Sequence, residues 1–580
     1  MKTQTTYSRP DRGADRAVGA EMWQLVAALA GIAALIALAA TVLLGMGVAG
    51  AVLGEGGMWP ASLSEAPRTI AMVLLHAGDP AAAYPNAGPT APSAAVAWVA
   101  VALFLVPLVM TVTIAVVAVA ARRGDRSGLA SAKDFVHRAG LEVTPPLAYL
   151  GGKAITVKAE DTGLCAGPAR GGKTSRIVIR LVLDAPGPVV TTSTRPDVLR
   201  RTAMQRSEVG RVHVIDFDEV SRWPELTRWD IVAGCEDPRV AAERAGAMVA
   251  AVPLGGAKNV GFFEEAAKRV LAGLMHAAAL SGGNMRDVVK WSRDFRSDAP
   301  YSILRDHPAA AEGWEADLTK YCRGESPETV SSTDQSLGLI LGPVAFSSVL
   351  DLLCPPRGTG FDIHSFLLST DALYLMSEGG EQTSTGPLTT ALVASIDQAA
   401  RRMATSSIEG RLSPRLTYVL DEVANIAVLP RLPSMMSEGG GAGRVTWAFV
   451  QSEAQLRDRW GENAGTIVDS AGVYLVLGGL KDESMIRKLS ALCGDRWVRR
   501  TSTSSGPGGH TTSTRLERER VMAENDIREL PEGFALMIYG RTRPAVVQLP
   551  AYWELPNAAE FETALAWCLA RESAKGWITA

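Results

Sequence analysis

Residues 167–174 read GPARGGKT, and residues 416–422 read LTYVLDE. The first stretch fits the pattern G-x-x-x-x-G-K-[ST]. AITVKAEDTGLCA precedes it as a strand-like run, and SRIVIRLVL follows it as a run that can be helical. A loop in that setting turns successive backbone N–H groups inward, onto an anion. Gly167 and Gly172 admit backbone angles that a side chain would forbid. Lys173 is placed to reach the β- and γ-phosphates of a nucleotide, and the Thr174 hydroxyl to help hold Mg²⁺. The following helix points its positive end at the same charge. Gly167, Pro168, Ala169, Arg170, Gly171, Gly172, Lys173, Thr174 and Ser175 are therefore the expected ATP-binding residues. The competing reading is a glycine-rich surface turn with a solvated lysine. The strand before the loop and the helix after it favour the phosphate loop.

Cleaving a nucleotide also needs a carboxylate near the metal and a group that orients water. LTYVLDE is an apolar strand pattern ending in two acids. Asp421 is expected to bind Mg²⁺, and Glu422 to polarise the attacking water. An apolar strand ending in a solvated acid is common, so this signal takes its weight from the loop upstream. RVTWAFVQS at 444–452 is a further strand, ending in Gln451, an amide placed to sense the γ-phosphate. PVVTT at 188–192, RVHVID at 211–216 and GVYLVLGG at 472–479 add three more. Strands alternating with helical stretches imply an α/β fold with a largely parallel sheet and the nucleotide at the strands' carboxyl ends. The distance from Thr174 to Asp421 exceeds what a minimal nucleotide fold requires, so an insertion must lie between them.

The whole chain has 580 residues, enough for about four domains. Charged residues are 21% and hydrophobic residues 47%, which excludes a disordered or collagen-like chain. Lys plus Arg total 58 against 61 Asp plus Glu, for a net charge of −3, which excludes a polybasic wrapping protein. The 6 Cys form no CxxC pair, so neither a zinc site nor a disulfide framework is signalled.

No charged residue lies between Glu21 and Glu55, and Ala94 to Ala121 is a second uncharged, apolar run. Each exceeds the ~20 residues that cross a bilayer. Basic residues flank the pair on its outer sides, as Lys2, Arg9, Arg12 and Arg16 before and Arg122, Arg123 and Arg126 after. The positive-inside bias then predicts residues 1–121 as a two-pass anchor with both termini cytoplasmic. Its helices are expected at about 23–53 and 94–121. The extracytoplasmic loop is expected at 55–93, with a short helix over RTIAMVLLH at 68–76.

The order of these pieces resembles the coupling proteins of type IV secretion and conjugation, the TraG/TraD-like family. The resemblance rests on the anchor, GPARGGKT, the long insertion and LTYVLDEVANIAVLPRLPSMMSEGGGAGRVTWAFVQSEAQLRDRWG at 416–461. Leu429-Pro430, Gln451-Ser452, Gln455-Leu456 and Gly461 fall where that family's pattern has similar residues, and FDIHSFL and IRELPEGFALMIYGRTRP match its style. The resemblance implies a RecA-like P-loop NTPase domain over 122–279 and 346–580, with an all-α insertion at 280–345. It implies a hexamer under the inner membrane that uses ATP to pass DNA, single-stranded and carrying a relaxase, to the proteins of a secretion channel. It also implies an arginine contributed to the γ-phosphate by the neighbouring subunit, for which Arg444 is the first choice. One stretch departs from the pattern. Where the family shows an Asp-Pro-Lys-Gly-like segment, this chain reads TTSTRPDVLRRTAMQR at 191–206, leaving Arg195 or Asp197 to do related work. Other readings stay open: a chromosome-segregation type translocase of duplex DNA, a motor for protein export alone, and a docking receptor that binds nucleotide without useful hydrolysis.

Three basic clusters are candidates for contact with DNA, against a default of solvated faces: Arg195, Arg200, Arg201 and Arg206; Arg496, Arg499 and Arg500; and Arg515, Arg518 and Arg520. Between the last two, TSTSSGPGGHTTST at 501–514 reads as a low-complexity mobile loop. Trp291, Trp314 and Trp497 are candidates to stack bases, with core packing the better expectation for each.

Overall fold

The computed structural model describes residues 40–52, 58–60, 64–84, 91–122, 128–135, 142–252, 260–378, 385–506 and 509–574. The chain divides into two compact units, Met1–Arg126 and Ser127–Ala580.

In the first unit, residues 40–52 are helical, as are Ala66–Leu75 and Ala94–Arg122. Val42, Met46, Val73 and Val101 share a small apolar cluster. Among the described residues, no helix is long and apolar enough to cross a membrane. Residues 23–39 of the first expected span lie outside the described residues. The second span coincides with the helix Ala94–Arg122, which has 29 residues and Pro107 inside it, but over most of its second half only the backbone is described. The two-pass anchor is thus not found among the described residues, and its case rests on the composition of the two runs. The short helix expected at 68–76 is present as Ala66–Leu75.

The second unit is built on one sheet. In chain order its strands are β1 (Ala148–Leu150), β2 (Lys153–Ile155), β3 (Gly163–Ala166), β4 (Val189–Ser193), β5 (Val212–Asp216), β6 (Ala372–Met376), β7 (Leu416–Leu420), β8 (Arg444–Val450) and β9 (Val473–Leu477). After these come β10 (Asp495–Gly506), β11 (Gly509–Arg520), β12 (Phe534–Tyr539) and β13 (Ala545–Gln548). The sheet order is β2-β1-β13-β12-β9-β3-β8-β7-β4-β6-β5, and β10 and β11 form a separate hairpin. From β9 to β5 every neighbouring pair is parallel. The strands beyond β9 pair antiparallel.

The parallel strands are apolar without alternation because both faces are covered. Alternate residues of β8 enter different cores: Val445, Trp447 and Phe449 on one face, Ala448 and Val450 on the other. The first core includes Ile177, Leu181 and Leu199 from the helices after the phosphate loop and after β4. The second merges with the insertion. Gly163 stands level with Trp447 across the β3–β8 pair, and a Cβ there would strike the indole.

Between β5 and β6 the described chain has helices and no strand. The expected all-α insertion at 280–345 falls within this helical stretch. The helix Val260–Leu280, just before that range, packs against the helices that follow it. Phe262 packs edge-on against Tyr321, His276 against Trp314, and Arg269 pairs with Asp317 at 3.2 Å. Ala266, Val270, Leu271 and Met275 of the same helix also share one core with Leu164, Val190 and Ile215 of the sheet. Trp291 is buried and Trp314 is held by His276, so both serve the core rather than a base.

The expected loop at 501–514 is instead the upper part of the β10–β11 hairpin, with Thr501 opposite Thr514 and Thr503 opposite Thr512. Threonine, branched at Cβ, suits a strand. Residues 507–508 lie outside the described residues.

Candidate functional site

Parallel register sets the site. Ala166 at the end of β3 stands level with Val450 of β8, and Leu420 at the end of β7 stands level with Ala448. The phosphate loop, the acidic pair and Gln451 therefore leave the sheet from one edge, on three adjacent strands.

The loop is pinned at its base by Gly167 N–H donating to Val450 O at 3.1 Å. It turns through two left-handed positions, Arg170 (φ 62°) and Gly172 (φ 87°). Gly171 N–H donates to Pro168 O, and Ser175 Oγ donates to Gly172 O. Lys173 is buried, with Nζ donating to Gly167 O at 2.7 Å and Pro168 O at 3.2 Å. Its ammonium is thus held within the loop, where it offsets the charge of an anion cradled there.

Thr174 Oγ1 donates to Asp421 Oδ2 at 2.9 Å. Asp421 is buried, and its Oδ1 has no hydrogen-bond partner among the described residues. Burial pushes its carboxyl up to about 6, against the pull of the Thr174 hydrogen bond and the Lys173 charge. A buried carboxylate oxygen with a free acceptor site, beside a hydroxyl, suits a hard divalent cation that keeps several waters and phosphate oxygens. Among the described residues no cluster of three or more His, Cys, Asp or Glu forms a metal cage.

Glu422 takes left-handed backbone angles (φ 53°) at the strand end. Its carboxylate accepts from Asn425 Nδ2 at 2.6 Å and from Gln451 Nε2 at 3.2 Å. Gln455 closes the ring, donating to Asn425 Oδ1 at 2.9 Å and accepting from Gln451 N–H at 3.0 Å. Asn425 and Gln451, braced by Gln455, thereby fix where the Glu422 oxygens point. The role of Asn425 was not read from the sequence; its spacing of three from Glu422 was the available signal.

The stretch that departs from the family's pattern meets the same site. Thr192 Oγ1 donates to Asp421 O at 2.8 Å, and Arg195 and Asp197 line the cavity beside the loop. The cavity holds about 780 Å³.

Residues 415–532 match the family described as the TraM recognition site of TraD and TraG. Over this segment the chain is similar to that family. No curated protein matches the chain. Among solved structures it is similar to the bacterial conjugative coupling protein TrwBdeltaN70 in its unbound monoclinic form, with a TM-score of 0.54, 19% identity, and 72% of this chain and 90% of that one covered. It is similar also to the plasmid coupling protein TrwB in complex with ADP and Mg²⁺, with a TM-score of 0.53, 19% identity, and 73% and 93% covered. The TrwB complex with the non-hydrolysable GTP analogue GDPNP gives 0.53, 19%, and 72% and 91%. At these identities the likeness shows the fold, an α/β unit with a large mixed sheet.

The TraG/TraD segment contains Asp421, Glu422 and Gln451, while the phosphate loop lies outside it. It also contains Arg444, which is not brought to the site. Arg444 opens β8, at the strand end opposite Gln451, and is buried in an ion pair with the equally buried Asp397. A guanidinium committed in this way is not presented to a neighbouring subunit, and the expected role is corrected accordingly. Two arginines of the 195–206 cluster are structural as well. Arg200 grips the buried Glu572 with two bonds, at 2.9 and 2.8 Å, and Arg206 caps the carbonyls of Ala185, Gly187 and Thr370.

Proposed function

We propose that the chain is a membrane-anchored ATPase that couples ATP hydrolysis to passage of DNA, with its attached relaxase, into a conjugative secretion channel. The observation that carries this reading is the Thr174–Asp421 hydrogen bond, which joins the phosphate loop to the acidic strand end. The TraG/TraD segment and the TrwB-like fold support the conjugative setting. Complexes of TrwB with ADP and Mg²⁺ and with GDPNP support a nucleotide and Mg²⁺ as its ligands.

In this reading the loop N–H groups and Lys173 bind the phosphates, and Thr174 and Asp421 hold Mg²⁺. When bound, that ion neutralises charge on the β- and γ-phosphates. Glu422, oriented by Asn425 and Gln451, accepts a proton from the attacking water at its carboxylate. Gln451, whose amide donates to that carboxylate, senses the γ-phosphate. The uncharged runs 23–53 and 94–121 supply a two-pass inner-membrane anchor. The motor works as a homo-oligomer, a hexamer by the resemblance.

The test is ATP turnover by the full chain in detergent, with single-stranded DNA, with duplex DNA and without either. Stimulation by single strands, abolished by Lys173→Ala, supports the proposal. Turnover that survives both Lys173→Ala and Glu422→Gln refutes the assigned roles. A preference for duplex favours the segregation-type translocase. Binding with no turnover in any assembly state favours the docking receptor.

A further inference from the structure

The cavity at the phosphate loop is also walled by Tyr552 and Trp553, from the stretch after β13. They are the aromatic residues in its lining, where the other apolar side chains are Ala169 and Ile179. Trp553 is 52% exposed, a large ring left open to solvent beside a deep polar site. The two rings meet edge to face with centroids 4.8 Å apart, and the Tyr552 ring is backed by the buried Phe561 at 5.1 Å. Arg201 lies over Tyr552 at 4.9 Å, which fixes that ring from another side.

The ring pair is tied to the loop by one side chain. Arg176 directly follows the loop residue Ser175, and its guanidinium donates to Leu549 O at 2.8 Å and Glu554 at 3.0 Å. It also lies 6.0 Å from the centre of the Trp553 ring. The phosphate grip and the aromatic pair are therefore held at a set separation within one cavity of about 780 Å³, inside the usual range for small-molecule sites. A nucleotide gripped by its phosphates carries a flat π-faced base that must go somewhere in this space.

We infer that Trp553, positioned by Tyr552 and Arg176, is the stacking surface for the nucleobase. This rests on the nucleotide-binding reading and extends it to residues outside the phosphate loop and the acidic pair. A ring face recognises the flatness of a base and is indifferent to its edge, so ATP and GTP bind comparably here.

The experiment measures equilibrium binding of ATP and of inorganic tripolyphosphate, both with Mg²⁺, to the full chain. The wild-type protein binds ATP more tightly. Trp553→Ala weakens ATP about 5- to 100-fold, the range for losing one base–aromatic stack. It leaves tripolyphosphate unchanged, and Trp553→Phe restores most of the ATP affinity. Unchanged ATP binding in Trp553→Ala overturns the inference. So does an equal fall for both ligands, since that marks a displaced loop. If the wild-type protein binds neither ligand, the nucleotide reading itself fails and this inference with it. Tripolyphosphate binding without an ATP advantage overturns the base site alone.

Discussion

Thr174 and Asp421 are 247 positions apart in the chain, and the hydroxyl of one donates to the carboxylate of the other at 2.9 Å. The bond is possible because β3 and β7 both pair with β8 and end at one edge. It joins the helix that follows the phosphate loop to the strand that carries the acids.

If these two oxygens serve Mg²⁺, removing either weakens nucleotide binding only where the metal is present. Thr174→Ala and Asp421→Ala are each expected to lower ATP affinity about 10- to 100-fold in Mg²⁺, by analogy with lost metal-supporting groups. In EDTA the variants and the wild-type protein should bind alike. Titrations in the two buffers check this, and an equal loss in both would assign the pair to loop structure.

Glu422 is held by Asn425 and Gln451 rather than by a cation. Glu422→Gln is expected to retain ATP binding and lose about 10²- to 10⁴-fold in single-turnover cleavage, the range for a general base. Asn425→Ala and Gln451→Ala leave the carboxylate in place but free to turn, so their losses should be smaller. A Gln451→Ala loss as large as that of Glu422→Gln would give the amide a role of its own at the γ-phosphate.

Arg444 and Asp397 are 4% and 3% exposed at their side chains. Arg444→Ala leaves a buried carboxylate without its partner, for an expected cost of about 3–5 kcal/mol. The double variant Arg444→Met with Asp397→Leu should recover much of that. Thermal melting checks both. A normal melting temperature with abolished turnover in Arg444→Ala would restore Arg444 as a residue acting across subunits.

Glu572 is fully buried on the C-terminal helix Ala558–Ser573, where it anchors Arg200 of the helix Asp197–Val209. Glu572→Ala removes two charge-assisted bonds from a partly exposed arginine, so the expected loss is about 2 kcal/mol. Denaturant unfolding reads this as a lower midpoint at unchanged slope.

The phosphate loop and the strands that frame it were legible because their information is local. GPARGGKT needs only its own glycines and the elements on either side, and LTYVLDE only its apolar run and the change of polarity at its end. The α/β class followed from the same runs. Residues of the second kind were misread or missed for one reason: their meaning depends on what faces them. Arg444 looked like a free cation near an acidic pair until Asp397, on a helix that begins at Gly386, proved to be its partner.

The chain's own order of residues was sufficient for the phosphate loop, the acidic strand end and the apolar character of the sheet, since each is written in a few consecutive positions. The side-chain ring around Glu422, the burial of Arg444 and the approach of Tyr552 and Trp553 to the loop came into being only on folding. They depend on β8 lying between β3 and β7 and on a C-terminal segment returning to Arg176. Hydrophobic periodicity reports which residues are inside, and it carries no record of which strand will stand beside which.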